Sequence, residues 1–249
     1  MSKPEPLFSI TLDKDNVKKF LAPLKDIQKI KVNQAVFKFN EEKKTISMSV
    51  INDTNTIMSI VKYKPLEAEI EKDFEFAIHD LNEFINCIYV FDDGAQIDFH
   101  EKYCDISHED SNIKYIGSET SVIKQGKEKL SAKVNWFTSF VFDPSEFTSF
   151  IKAINVINGK HIIFTGEKGK KSVGVQVRDK AMANSNSFNV KIEVDEIFET
   201  FKTVIDKEYF MSIISGSSST YEIQIGNLLV LFKASTPVHT IDHCVAPVV

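Results

Sequence analysis

The sequence predicts an α+β protein built as two similar halves, and three observations carry that expectation. A strand-like run ends in an aspartate and passes at once into an amphipathic helix at four places: ITLDKDNVKKFL, FAIHDLNEFINCI, FVFDPSEFTSFI and TVIDKEYFMSII. The aspartates, Asp13, Asp80, Asp143 and Asp206, recur at spacings of 67, 63 and 63 residues. Between these units the chain alternates apolar and polar residues with the period of two that marks sheet.

Each helix follows from its spacing. Four residues after the aspartates stand Val17, Phe84, Phe147 and Phe210; seven after, Phe20, Cys87, Phe150 and Ile213; eight after, Leu21, Ile88, Ile151 and Ile214. Those offsets form one apolar stripe on a helix of about two to three turns. Each aspartate is placed to accept the free N–H groups of the first turn, and Pro144 after Asp143 suits a helix start. The strands after the first helix are AVFKF, TISMSVI and TIMSIVKY; after the second, AQIDFHEKYCDIS and NIKYIG. The third is followed by HIIFTGEK, KSVGVQVRD and SFNVKIEV, the fourth by TYEIQIG, LLVLFKAS and VHTIDH. Turns fall at Asp93-Gly94, Asn158-Gly159, Gly166–Gly169 and Gly226-Asn227. The repeated unit is βαβββ, and two units make a domain. Polar, lysine-rich SETSVIKQGKEKLSAKVN reads as a linker, giving an N-terminal domain over 1–117, a linker over 118–135 and a C-terminal domain over 136–249.

Bulk properties narrow the function classes. With 249 residues and 43% hydrophobic content, each half is long enough for its own core. No apolar run approaches the roughly 18 residues of a membrane span, and MSKPEPLFSITLDKDN lacks a signal-peptide core, so a soluble protein that is not exported is expected. Cys87, Cys104 and Cys244 are scattered and odd in number, which points to a reducing cytoplasm. A net charge of −5 argues against a surface that grips nucleic acid everywhere, but leaves room for a local basic patch. Arg178 is the only arginine, which weighs against reading of guanine edges.

FEFAIHDLNEFINCIYVFDDGAQI, residues 74–97, carries strand, Asp-Leu-Asn, short helix, acidic turn and strand in an order that resembles the sliding-clamp family, most closely the bacteriophage T4-type clamps. The resemblance extends over the chain in its two-domain length, its fourfold βαβββ unit and its midpoint linker. It implies the DNA-clamp fold of proliferating cell nuclear antigen, with sheets outside and short helices inside, closed into a ring by a head-to-tail homotrimer. It implies a non-catalytic processivity factor that threads double-stranded DNA without sequence preference and tethers a replicative DNA polymerase. A clamp-loader ATPase would place it on DNA. T4-type clamps also contact late-transcription factors, and the setting implied is the cytoplasm of an infected bacterial host. By position in the fold, Asn112, Ile113, Tyr115 and Ile116 would meet Phe188, Val190 and Ile192 of the next subunit. Val134, Trp136 and Phe137 by the linker, with Val245 and Pro247 in the tail, are candidates for the pocket that takes partner peptides. The competing reading is a duplicated α+β scaffold that does not encircle DNA.

If the apolar stripe faces the sheets, offsets five, six and nine face the hole: Lys18, Lys19 and Ala22; Ile85, Asn86 and Tyr89; Thr148, Ser149 and Lys152; Met211, Ser212 and Ser215. Lys14, Lys25 and Lys207 lie close to the same faces. No carboxylate occupies these twelve places. Lysines lining a hole attract phosphates without base preference, as sliding requires; a merely solvated helix face is the bland alternative.

Other motifs carry less. GEKGKKS (166–172) joins two strands with the wrong glycine spacing for a phosphate-binding loop and reads as a basic hairpin tip. His100, Cys104 and His108 lack an evident fourth ligand, as do His239, His243 and Cys244, so no metal is expected. Asp92-Asp93-Gly94 is a turn and not a calcium loop. No catalytic constellation emerges, and neither enzyme activity nor a cofactor is expected.

Overall fold

The computed structural model describes residues 4–64, 70–129, 133–181, 185–216, 218 and 220–248. Four βαβββ repeats follow one another. The first is β1 (Phe8–Asp13), α1 (Lys14–Lys29), β2 (Ala35–Asn40), β3 (Thr45–Ile51) and β4 (Ile57–Tyr63). The second is β5 (Phe74–Ile78), α2 (Leu81–Tyr89), β6 (Gly94–Phe99), β7 (Tyr103–His108) and β8 (Ser111–Ile116). The third is β9 (Trp136–Phe142), α3 (Thr148–Val156), β10 (His161–Gly166), β11 (Ser172–Arg178) and β12 (Phe188–Glu193). The fourth is β13 (Phe201–Asp206), α4 (Lys207–Ile214), β14 (Tyr221–Gly226), β15 (Val230–Ser235) and β16 (His239–Val245). The run read as one strand over 95–107 is a hairpin of β6 and β7, turned at His100–Lys102.

The chain divides into two compact units, Met1–Lys129 with Thr236–Ile241, and Leu130–Ser235 with Asp242–Val249. In the first, β6-β7-β8 accept β1 rather than β5, and β2-β3-β4 accept β5 rather than β1. Phe8 pairs with Phe99 and Ala35 with Ile78, all antiparallel. The second unit repeats the exchange: β10-β11-β12 accept β13, while β14 accepts β9. Each repeat therefore lends its first strand to the sheet of the other.

Aromatic side chains fill both cores. Phe84 of α2 meets Phe37 edge-on at 5.9 Å and Tyr115 at 5.2 Å. In the second unit Phe210 of α4 touches Phe142, Phe150, Phe164 and Phe232 with ring centroids 5.7–6.3 Å apart. Such offset and edge contacts add to the transfer free energy of each ring, about 1.5–3 kcal/mol. Two tyrosines fasten helices from the sheet side. Tyr63 donates to the Phe20 carbonyl at 2.8 Å and Tyr221 to the Ile213 carbonyl at 2.7 Å.

Three of the four aspartates cap as expected. Asp13 accepts from the Asn16 N–H, Asp80 from Glu83 and Asp206 from Glu208. Asp143 does not cap α3. It accepts from the Ser145 N–H and hydroxyl in a turn over 144–147, and α3 begins at Thr148 with Phe147 before it. Asp143 closes its own Asx-type turn two residues on, and the chain spends four residues turning before the helix starts. The first helix is longer than its stripe implied, since Leu24 and Ile27 continue the buried face past Pro23.

The first part of the polar midpoint segment lies along the first unit. Ser118 N–H donates to Ala77, Gly126 N–H to Ser49 and the Ser49 hydroxyl to the Lys127 carbonyl, all within 2.9 Å. A side chain on Gly126 would meet Ser49 Oγ at 2.7 Å and the Val50 carbonyl at 2.9 Å, so only glycine permits this approach. Lys38 holds Glu128 at 2.8 Å. Residues 130–132 of the segment lie outside the described residues.

Candidate nucleic-acid interface

The helices present their outward faces as follows. Along α1, Val17, Phe20, Leu21, Leu24 and Ile27 are buried, which turns Lys18 and Lys19 to solvent. In α2 the exposed positions are Asn82, Glu83 and Asn86. In α3 Thr148, Ser149 and Lys152 are exposed; in α4 Met211 and Ser212 are half-buried, and Ser215, which follows the helix as its C-cap, is exposed. Ile85 corrects the outward-facing set: it is only 3% exposed. Helices α1 and α2 pack against one another, and a helix with both a sheet and a neighbouring helix beside it buries a wider arc than a single stripe.

The lysines differ in what holds them. Lys14 forms an ion pair with Asp93 at 2.5 Å. The hydrogen bond and charge of Asp93 raise the Lys14 pKa, and Lys14 lowers that of Asp93. Lys25 reaches from α1 to the hydroxyl of Tyr89 on α2 and lies 4.2 Å from the ring centre. Lys207 donates to the carbonyls of Ile154 and Ile157 at the end of α3. The structure therefore leaves Lys18, Lys19 and Lys152 as outward cations, whereas Lys25 and Lys207 tie one helix to another. The exposed carboxylates on these helices, Asp15, Glu83 and Glu208, lie in first turns, where they favour the positive end of the helix dipole, and Asp26 of α1 is buried beside Lys29. Asp93 was legible only as a turn residue; its role as the counter-ion of Lys14 depends on a contact 79 residues apart.

The residues expected at a subunit contact occupy two strand edges. β8 and β12 are each the terminal strand of a four-stranded sheet. In both, burial alternates: Tyr115 and Ile192 point inward, Ile113, Phe188 and Val190 are half-buried, and Asn112 and Ile116 are exposed. Tyr115 accounts for its burial with hydrogen bonds about Asp80, and desolvation raises its pKa to about 12.

The residues expected at a partner pocket separate into two groups. Val134 and Trp136 flank Gly226, where a Cβ would strike the Val134 side chain at 2.5 Å. Phe137 is the extra residue of a bulge opposite Gly226 and stacks on Phe201 at 5.5 Å. Val245 is buried at the end of β16, Pro247 is half-buried, and Val248 N–H donates to the Val204 carbonyl. Exposed Leu228 lies in the same β14–β15 turn as Gly226 and Asn227, whose backbone and side chain bond Asn135.

Two of the three cysteines, Cys104 and Cys244, are buried, and Cys87 is half-buried. Cys104 is buried in β7, where burial pushes its thiol well up, and burial raises Cys244 to about 12. Among the described residues no three His, Cys, Asp or Glu side chains are disposed to hold a metal ion.

Comparison with known proteins adds the following. No family model matches the chain. Its sequence is 23% identical over 167 residues to the sliding clamp of Vibrio phage KVP40, covering 62% of this chain and 75% of that protein. Solved structures that share its fold include three PCNA chains. A. fulgidus PCNA, with the C-terminal region of FEN-1 bound, gives a TM-score of 0.76 at 16% identity over 97% of this chain and 98% of that one. PCNA from Thermococcus kodakaraensis gives 0.75 at 15% identity over 97% and 100%. Proliferating Cellular Nuclear Antigen from Entamoeba histolytica gives 0.76 at 10% identity over 98% and 100%.

Proposed function

We propose, from the premise that this chain belongs to the sliding-clamp family and has the DNA-clamp fold, that it closes as a homotrimer around duplex DNA and tethers a replicative polymerase there. The observation that carries this reading is the outward helix face of each unit, with Lys18 and Lys19 exposed in the first and Lys152 in the second, while the exposed carboxylates of the helices are confined to first turns. On a chain of net charge −5, that segregation favours phosphate contact at the helices rather than over the whole surface. Lysines make diffuse contacts that release counterions and read no bases, which suits a protein that must slide.

Ring closure is assigned to β8 of one chain and β12 of the next, whose unpaired edges complete one another. The domains in this reading are 1–117 and 136–249, joined through 118–135. Peptides from the polymerase and from a clamp-loader ATPase would dock by Val134, Trp136 and Leu228, as the exposed apolar turn favours. Late-transcription factors would use the same surface. The protein acts without catalysis, in the cytoplasm of an infected bacterium.

Light scattering over a wide concentration range tests the ring. A species of about 85 kDa, three times 28.3 kDa, is expected. Loaded on nicked circular DNA it should stay, and it should leave once the circle is cut. A chain that remains monomeric at all concentrations, or that leaves circular and linear DNA alike, would overturn the proposal.

A further inference from the structure

β9 leaves one edge open. It pairs on one side with β14, from Phe142↔Tyr221 to Trp136↔Gly226, and is the terminal strand there. Near its start the other edge is closed by the β12–β13 connection: Phe198 N–H donates to the Phe137 carbonyl at 2.9 Å, and the Thr138 hydroxyl to the Glu196 carbonyl at 2.8 Å. Beyond Thr138 no backbone partner meets that edge among the described residues. Instead a groove of about 700 Å³ opens, lined by Ser139–Val141, Lys171, Glu193–Asp195 and Glu222. It includes none of Val134, Trp136 or Leu228, and so differs from the docking surface assigned above.

The lining identifies the occupant. A bare strand edge offers alternating N–H and C=O groups that an extended chain satisfies. Val141, 66% exposed, lies in register with Glu222, so one apolar and one acidic side chain adjoin on the outer face beside the edge. Glu193 and Asp195 add two exposed carboxylates against the single cation Lys171. Glu222 accepts a hydrogen bond from the Gln224 amide at 2.6 Å, and Lys233 stands 4.0 Å from its carboxylate. The net negative lining repels nucleic acid and favours a cationic chain.

We propose that this groove takes a short, basic, extended segment of a partner protein as an added strand on β9. The incoming backbone pairs with Ser139–Val141, and its alternate lysine or arginine side chains face Glu222 and the Glu193–Asp195 pair.

A labelled synthetic peptide of alternating lysine and valine, titrated into the full-length protein, tests this by anisotropy and by backbone-amide NMR. The expected result is saturable binding with shifts at the Ser139–Val141 amides. Charge reversal by Glu222→Lys or Asp195→Lys should weaken it about tenfold or more. Methylating alternate peptide nitrogens, which keeps every charge but removes strand donors, should abolish it on the unaltered protein. Unchanged Ser139–Val141 amides would overturn the proposal. So would equal binding of the methylated peptide, which would mean that an acidic surface alone attracts the charge.

Discussion

Lys207, the first residue of α4, donates from Nζ to the carbonyl of Ile154 at 3.3 Å, and to that of Ile157 at 3.2 Å. The carbonyls at the end of a helix lack intrahelical donors, and a cation there also meets the negative end of the dipole. A lysine that sequence spacing places near the hole thus closes α3. Lys207→Met is expected to lower stability by about 1–2 kcal/mol, since hydrogen bonds to a charged donor are lost. Denaturant unfolding measures this, and the salt dependence of DNA retention should stay as it was.

Lys18 and Lys19 should behave in the opposite way. Both are exposed, so Lys18→Glu with Lys19→Glu should leave the melting temperature nearly unchanged. Residence on nicked circular DNA should shorten, and its salt slope should flatten by about two counterions per chain. Retention at graded salt reads this directly. Unaltered residence would remove α1 from the DNA-facing surface.

The caps give a graded test. Asp80→Ala should cost about 1 kcal/mol, the usual worth of an N-cap side chain. Asp143→Ala should cost clearly less, because Asp143 holds a turn and caps no helix. Parallel urea melts compare the two.

His239 predicts an acid weakness. The ring is buried, with Nδ1 3.0 Å from the Thr236 hydroxyl and Nε2 without a hydrogen-bond partner among the described residues. Burial holds its pKa below the ordinary value; nearby Asp26 pulls it up and Lys64 pushes it down. The unfolded imidazole takes its proton at about 6.5, the folded one only at lower pH. Stability is therefore complete above about pH 6.5 and falls as pH drops through the folded value. His239→Gln should flatten the wild-type decline between about pH 7 and 5.5, as melts at each pH would reveal.

Ile116 tests ring closure without touching a core. It is 57% exposed on the free edge strand β8. Ile116→Glu should leave the circular dichroism melt intact and shift the solution mass toward a single 28.3 kDa chain. A retained trimer would place the contact elsewhere.

What was legible in the sequence was local. The βαβββ order and three caps follow from residues within four positions of an aspartate, and each strand announces itself by alternation. Relations across long separations were not legible. Nothing near Asp93 marks it as the partner of Lys14, and nothing near Ile85 says that α1 will cover a second flank of α2. Asp143-Pro144 resembles a helix start because a turn and an N-cap favour the same two residue types. The polar segment after Gly117 does look like a linker by composition. Its docking on β3 was signalled only by Gly126, a lone glycine where backbone approach leaves no room for a side chain.

The exchange of first strands between repeats has a consequence for synthesis. β1 emerges from the ribosome early, yet its partner β6 lies beyond the whole of β2–β5 and α2. Until β6 appears, the nascent chain carries a strand whose ladder does not yet exist, exposed to pairing with the wrong neighbour. Folding therefore advances in steps the size of two repeats, and a ribosome stalled between β4 and β6 holds a segment that has no native sheet to join.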